Sequence, residues 1–177
     1  MPLVKSGKIV EDRFQRIADG DPVPGEGAII VSADRFLADA NELADRSDAV
    51  GVIWPNSRSV AELEPHLARL ALIALVFPAY KDGRAYSQAR MLRERYGYRG
   101  EVRATGQVLR DQFVFLMRSG FDAFEVVKPA DAVAFEETAQ RYSVFFQPTG
   151  DGRVTVARVR TGRTARPAKA SPGRVSV

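Results

Sequence analysis

The hydrophobic pattern divides most of the chain into short apolar runs that alternate with amphipathic segments. The apolar runs predict five strands, which start at about residues 28, 50, 72, 101 and 123. Apolar residues at helical spacing follow each run and predict helices over 35–45, 59–70, 84–96, 108–119 and 131–142. This alternation is typical of an α/β fold, a parallel sheet of about five strands built from βα repeats. The pattern leaves open whether the sheet is open or curved like part of a barrel.

Weaker patterns flank these repeats. A short hairpin is predicted near residues 8–14, before a turn-rich loop over 19–25. After the last helix, the stretches 143–147 and 153–159 flank the turn 148–152 and predict an antiparallel C-terminal hairpin. We therefore expect a single α/β domain over residues 1–160. Residues 161–177 are polar and rich in proline and glycine, which predicts a disordered basic tail.

The charge of the chain changes this picture only at its end. The net charge is +4, but seven of the 26 basic residues and none of the 22 acidic residues lie in 152–177. The other residues hold 19 basic and 22 acidic side chains, a net charge of −3. The tail could contact RNA or an acidic partner through its charge, but we favour a merely solvating tail. We do not expect nucleic acid as a partner of the domain.

Composition excludes several classes of site. The chain has no cysteine and one histidine, so it has no disulfide, thiolate zinc site, cysteine-ligated cluster or paired-histidine metal motif. The longest apolar run, 70–77, is much shorter than the ~20 residues that span a bilayer. No apolar stretch follows Lys5 and Lys8 as it would in a signal peptide. We expect a cytoplasmic protein without membrane contact.

Candidate chemistry lies at the carboxyl ends of the predicted strands, where open parallel sheets bind ligands. The loop after the third strand carries Lys81, Asp82 and Arg84, and Ser87 lies in the first turn of the next helix. Cations beside a helix N-terminus favour a phosphate, a sulfate or a carboxylate. Alternatively, Asp82 only caps the helix while Lys81 and Arg84 remain solvated.

A second candidate is Arg103, which lies inside the fourth strand between two apolar residues. Buried strands seldom carry an arginine unless it is paired, and Glu101 or Glu125 could pair with it. We favour a structural ion pair over a catalytic dyad. Asp111 and Gln112 begin the next helix and could reach the same edge, although Asp111 could instead only complement the helix dipole. The sequence thus provides eight candidate ligand-binding residues and no assigned catalytic residue: Lys81, Asp82, Arg84, Ser87, Arg103, Asp111, Gln112 and Glu125.

Four segments of the sequence are distinctive: FPAYKDGRAYSQARMLRERYGY at 77–98, GEVRA at 100–104, VLRDQ at 108–112 and GFDAFE at 120–125. Together they resemble an uncharacterised proteobacterial family that is usually labelled an oxidoreductase involved in sulfite reduction. The resemblance is strong over 77–125 and looser over about 27–145. It implies a gene neighbourhood with sulfite reductase and adenylyl-sulfate reductase, which are the partners it suggests. It implies no established reaction.

The residues argue against a direct redox role. Sulfite reduction needs sirohaem, iron–sulfur or flavin chemistry, and such chemistry is supplied by cofactors. The chain has no cysteine for a cluster and no flavin fingerprint, although a flavin bound without a motif stays open, so the cofactor is unknown. We expect an accessory protein of assimilatory sulfate or sulfite reduction that binds a sulfate- or phosphate-bearing ligand or the reductase. The alternative is an enzyme on a barrel-like α/β scaffold that acts on a phosphorylated or sulfated small molecule through Lys81, Asp82 and Arg103.

Overall fold

The computed structural model describes residues 2–5, 8–126, 130–131, 134, 144–146, 149 and 154–160. Eight strands form one sheet in the order β2-β1-β8-β7-β6-β5-β4-β3. Strands β3 to β8 are parallel to one another, whereas β1 is antiparallel to both of its neighbours, β2 and β8. The strands are β1 (Leu3–Lys5), β2 (Lys8–Val10), β3 (Gln15–Arg16), β4 (Ile29–Ser32), β5 (Val50–Trp54), β6 (Leu70–Phe77), β7 (Glu101–Gly106) and β8 (Ala123–Glu125).

The helices between β4 and β8, apart from the short 3₁₀ helix Arg110–Gln112, contribute to one hydrophobic core on one face of the sheet. Strand residues at alternate positions, such as Ile29 and Val31 of β4, face this core, while Ile30 between them packs in a separate cluster. The helices are α1 (Ala33–Ala38), α2 (Ala40–Ala44), a 3₁₀ helix (Val60–His66), α3 (Arg84–Arg90) with a π-helical continuation (Met91–Arg95), a second 3₁₀ helix (Arg110–Gln112), α4 (Phe113–Arg118) and, after β8, α5 (Val156–Arg160).

The prediction of an α/β fold with a mostly parallel sheet is confirmed, and the five predicted strands correspond to β4–β8. The predicted strand count was wrong, because β1, β2 and β3 add three strands to the sheet. Each of these strands has only two or three residues. A segment of that length is too short to show the period-two alternation by which a strand is recognised.

The sheet is curled into a half-barrel, and the chain connectivity explains the curl. Strands β2 and β3 follow each other in sequence but lie at opposite edges of the sheet. Eight strands in a flat sheet would separate these edges by about 34 Å. The chain from Val10 to Gln15 spans at most about 18 Å, so the edges must approach each other. We call residues 11–14, which cross between the edges, the strap.

The strap lies across the concave face of the curled sheet. Phe14 of the strap packs against Ile30, Leu72 and Ala74, which point to this face from β4 and β6. Phe14 is 5% exposed, and the three residues under it are completely buried. The helices therefore cover the convex face, and the strap covers the concave face.

Two helices of the structure differ from the helices that the sequence pattern predicts. Ser32 rather than Asp34 caps α1, because the Ser32 Oγ accepts a hydrogen bond from the amide of Arg35. The segment after Ser59 forms a short 3₁₀ helix that contains Pro65 and ends at His66. Proline has no N–H to donate, which disfavours a regular α-helix there.

The predicted C-terminal hairpin is not confirmed. Among the described residues of this region, Phe145 and Thr155 form an isolated parallel bridge, and Val156–Arg160 is the helix α5. The β-branched residues of 153–159 fit a strand, but so short a segment does not distinguish a strand from a helix. Most of the helix predicted over 131–142 and the whole tail predicted over 161–177 lie outside the described residues.

No helix within the described part of the chain is long and apolar enough to cross a membrane.

We predict that Gly106→Ala destabilises the protein strongly. Gly106 ends β7 with a φ of +91°, and a Cβ there would lie 2.4 Å from the carbonyl oxygen of Phe77. That oxygen also accepts a hydrogen bond from Gln107, so it cannot move away freely. We expect a loss of about 3 kcal/mol or more in the free energy of unfolding, measured by urea denaturation.

Gly27→Ala is the matched control. Gly27 has a φ of +93° but open space at its Cβ position, so its substitution carries only the backbone strain, about 1–2 kcal/mol. Equal losses for the two variants would contradict the close approach of β7 to Phe77.

Candidate functional site

A buried arginine lies at the centre of the concave face. Arg103 is 1% exposed and lies on β7, between Val102 and Ala104, which belong to the core under the helices. Its Nε donates to Glu101 Oε1 at 3.0 Å. Its terminal nitrogens donate to both carboxylate oxygens of Asp12 in the strap, at 2.5 and 3.0 Å. The strap is thus tied to the middle of the sheet by a bidentate ion pair.

Glu125 on β8 extends this network. It accepts hydrogen bonds from Arg103 Nη1 at 3.3 Å and from Thr105 Oγ1 at 2.5 Å. Each of its two carboxylate oxygens also accepts a hydrogen bond from Arg16 Nη2, at 2.6 Å. The Arg16 side chain is half exposed, so the network reaches solvent at β3, the edge strand that follows the strap.

The network satisfies the donors of Arg103. Arg103 has five N–H groups, and its contacts with Asp12, Glu101 and Glu125 use each nitrogen. Three carboxylates face three cations, because Lys5 also pairs with Glu101 at 2.9 Å. The expected pairing of Arg103 with Glu101 and Glu125 is therefore present, and its geometry is that of a structural ion cluster. Arg103 has no donor left for an anionic ligand.

The ionisation of Asp12 depends on this cluster. Burial alone would raise the pKa of Asp12, but the hydrogen bond from Arg103, the amide of Phe14 and the charges of Arg103 and Arg16 together lower it below its usual value. The amide of Phe14 donates to Asp12 Oδ1 at 3.1 Å. The folded protein thus favours the ionised form of this carboxyl.

The loop after β6 forms a second polar cluster, at the carboxyl edge of the sheet. Asp82 Oδ1 accepts a hydrogen bond from the amide of Arg84, the first residue of α3, at 3.2 Å. The Arg84 side chain donates to the same carboxylate at 3.0 and 2.6 Å. These bonds from Arg84 are the main reason why the pKa of Asp82 lies well below its usual value. The Asp82 carboxylate therefore binds both the first amide of α3 and the side chain of Arg84, while Gly83 is the N-cap residue.

Gln112 joins this loop to the loop after β7. Its Nε2 donates to the carbonyl of Tyr80 at 2.8 Å, and its Oε1 accepts from the amide of Leu109 at 3.1 Å. Lys81 and Asp111 are exposed near this link and form no ion pair within the described residues. Ser87 is exposed on α3.

The eight predicted site residues therefore fall into two groups. One group lies at or beside the carboxyl edge: Lys81, Asp82, Arg84, Ser87, Asp111 and Gln112. Arg103 and Glu125 instead contact each other on the concave face, where Arg103 also binds Asp12 of the strap, and none of their hydrogen bonds reaches the loop after β6. The structure does not bring the two groups together.

Four members of the concave-face network were not predicted: Lys5, Asp12, Arg16 and Thr105. A signal for Thr105 was present, because Glu101, Arg103 and Thr105 alternate with apolar residues and mark one polar face of β7. No local signal identifies Asp12 and Arg16, whose partners lie 91 and 109 residues away.

The part of the chain that the structure describes contains no group of three or more histidine, aspartate or glutamate side chains that could hold a metal ion.

The sequence matches a family of bacterial proteins of unknown function (DUF934) over residues 51–157, so the chain belongs to that family. The match begins at β5 and includes both loops of the carboxyl edge, whereas the strap precedes it. No protein of curated function matches the chain significantly.

We predict that Asp12→Asn removes a stabilising contribution that depends on pH. Because the folded-state pKa of Asp12 is lowered, its ionised form stabilises the fold fully above the unfolded pKa of about 4. That stability is lost as the pH falls through the folded-state pKa. The difference in melting temperature between wild type and Asp12→Asn should therefore be largest near neutral pH and shrink below about pH 4.

Asp111→Asn is the control, since Asp111 is exposed and forms no ion pair with a described residue. It should leave the melting temperature unchanged at every pH. If the difference in melting temperature between wild type and Asp12→Asn stays constant with pH, the strap does not depend on the charge of Asp12.

Proposed function

We propose that this member of the bacterial family is an accessory protein of assimilatory sulfate or sulfite reduction that binds a small sulfate- or phosphate-bearing ligand at the carboxyl edge of β6 and β7. The observation that carries the proposal is the Gln112–Tyr80 hydrogen bond, which joins the loops after these two strands. Lys81 follows Tyr80, and Arg110 lies two residues before Gln112, so two exposed cations flank one link.

The charges at this edge support an anionic ligand. Lys81 and Arg110 form no ion pair with any described residue, and Arg84 pairs only with Asp82. The Arg84 side chain is 59% exposed, and exposed pairs of this kind contribute little to stability. An oxyanion can therefore share or take over the Arg84 guanidinium, whose fork matches two oxygens of a phosphate or sulfate.

The link to sulfate assimilation comes from the sequence resemblance to a family labelled for sulfite reduction. The absence of cysteine supports an accessory role rather than electron transfer through a cluster. The reductase itself is a further candidate partner, because Tyr80 and Leu109 expose apolar surface on either side of the Gln112 link.

The alternative function is an enzyme that acts on a phosphorylated or sulfated small molecule. The curl of the sheet favours it, since barrel-like α/β enzymes place their sites at the carboxyl ends of the strands. Lys81 and Asp82 are then the candidates at the edge. Arg103 is a poor candidate, because its five N–H groups already face carboxylates.

We predict that phosphate, sulfate or adenylyl sulfate stabilises the protein through Lys81 and Arg84. At about 100 times its Kd, such a ligand should raise the melting temperature by about 5–10 °C. The double variant Lys81→Ala/Arg84→Ala should lose this rise, measured by differential scanning fluorimetry. The matched control is Arg69→Ala/Arg99→Ala, which removes two exposed cations that precede β6 and β7 at the opposite edge of the sheet.

The control variant should keep the full ligand-induced rise. If Lys81→Ala/Arg84→Ala folds and responds to the ligands like wild type, the ligand site is not at this edge. If none of the three ligands raises the melting temperature of wild type, the ligand-binding part of the proposal is wrong.

We predict that deletion of the gene in the native host blocks growth on sulfate and on sulfite, and that cysteine restores growth. This pattern places the block at or after sulfite. The wild-type gene and the Arg69→Ala/Arg99→Ala variant should complement the deletion, whereas Lys81→Ala/Arg84→Ala should not. Normal growth of the deletion strain on sulfite would contradict a role in sulfite reduction.

A further inference from the structure

Exposed apolar side chains are concentrated around Gln112. Among the described residues up to Val126, four large hydrophobic side chains are exposed, and three of them are Tyr80, Leu109 and Phe115. Gln112 joins two of these residues, because its side chain donates to the carbonyl of Tyr80 and accepts from the amide of Leu109. Phe115 follows Gln112 by three residues on a helical backbone, so their side chains are neighbours. We call Tyr80, Leu109 and Phe115 the Gln112 patch.

Phe115 stands on the outer face of α4. The helix packs on the core through Phe113 and Leu116, which are completely buried, whereas Phe115 between them is 67% exposed. On an amphipathic helix the outward positions are normally polar. An aromatic ring at such a position, beside two other exposed apolar side chains, therefore forms a contiguous patch rather than a scattered surface residue, and contiguous patches mark sites of interaction.

The size of the patch indicates what it can bind. With Tyr80 and Leu109 59% and 46% exposed, the three side chains present roughly 300–400 Å² of surface. This is comparable to the largest apolar patch of a typical monomer, about 300–600 Å², which is often functional. A stable protein interface takes about 800 Å² from each partner. The apolar contact thus needs polar contacts around it, and these depend on the charges at its rim.

The rim of the patch is positively charged. Lys81 and Arg110, each next in sequence to a member of the patch, are exposed and form no ion pair with a described residue. Asp111 is the one exposed acid directly between Arg110 and Gln112 in the chain. A second copy of this chain on the patch would bring two of these cations for every such acid into one interface, which like-charge repulsion disfavours. Charge complementarity therefore favours an acidic occupant.

We propose that the Gln112 patch, with Lys81 and Arg110, is a docking surface for an acidic protein partner. Apolar side chains of the partner cover Leu109 and Phe115, and its carboxylates pair with the two cations. Aromatic and arginine side chains are the residues that contribute most to binding at protein interfaces. The inference goes beyond the proposed function, which requires only a small ligand at the same edge of the sheet.

The first experiment is photo-crosslinking in the native host. The photoreactive analogue p-benzoylphenylalanine is placed at position 115 of the full-length chain, and the adducts are mapped by mass spectrometry. We expect an adduct with another protein, attached to a segment rich in aspartate and glutamate. The positional control carries the analogue in place of Ile9, the exposed apolar residue outside the patch, and should not form this adduct.

Charge reversal tests whether the adduct depends on the cations of the rim. Lys81→Glu/Arg110→Glu, in the chain with the analogue at position 115, should lower the yield of the adduct about tenfold or more, because like charges then face each other. The matched control is Arg69→Glu/Arg99→Glu, which reverses two exposed cations at the opposite edge of the sheet and should leave the yield unchanged.

A second variant measures docking without the crosslinker. Phe115→Ser keeps both cations, and it should weaken binding of the purified mapped partner about tenfold or more in biolayer interferometry. The same variant should keep any rise in melting temperature that phosphate or sulfate causes in wild type. A wild type that docks the partner but does not respond to these anions would contradict the proposed ligand site and leave the docking surface intact.

The docking surface is overturned if position 115 gives no adduct beyond that of the Ile9 control. An adduct with a second copy, with another part of the same chain or with nucleic acid also overturns it, as does a yield that charge reversal at the rim leaves unchanged. If Lys81→Glu/Arg110→Glu does not fold, Phe115→Ser decides. Binding of the partner to Phe115→Ser as tight as to wild type would then refute the inference.

Discussion

The short strap between the two edges of the sheet is the constraint on which the rest of this structure depends. Four residues must connect β2 to β3, although six other strands lie between them in the sheet. A flat sheet is about twice as wide as this connection can span. The sheet therefore curls, its helices are left on the convex side, and the strap itself covers the concave side.

The curl creates a concave face that apolar residues fill only in part. Phe14 covers the small apolar cluster of β4 and β6, while the other half of the face holds the network around Arg103. A buried ion cluster is weak evidence for stability, because desolvation offsets much of the Coulomb attraction, but loss of one member leaves uncompensated charge. The bidentate Asp12–Arg103 pair and the Arg16–Glu125 pair flank Phe14 along the chain. Their directional bonds set where the strap lies, which a purely apolar contact would specify less strictly.

The polar residues of the concave face and those of the carboxyl edge therefore differ in how well their charges are paired. On the concave face, the carboxylates and guanidinium groups satisfy one another, and Arg103 has no free donor. At the carboxyl edge, Lys81 and Arg110 form no ion pair with a described residue, and Arg84 makes only an exposed pair with Asp82 among these residues. Unsatisfied groups, rather than charged groups as such, mark the place where a ligand would lower the free energy. The edge is therefore the better candidate for binding, and the network around Arg103 is better understood as part of the fold.

The five parallel strands from β4 to β8 could be predicted from the sequence, because they alternate with amphipathic helical segments in a regular βα rhythm. The sequence also identified the loop of Lys81, Asp82 and Arg84, and it indicated that Arg103 must be paired if buried. The residues that lie opposite them became known only from the three-dimensional fold. Asp12 and Arg16 are separated from Arg103 and Glu125 by 91 and 109 residues, and neither the strap nor the two-residue β3 has a periodic signal. Hydrophobic periodicity shows which face of a helix or strand is buried. The residues that pair with Arg103 and Glu125 across the curled sheet depend on the path of the strap, and no local sequence pattern predicts that path.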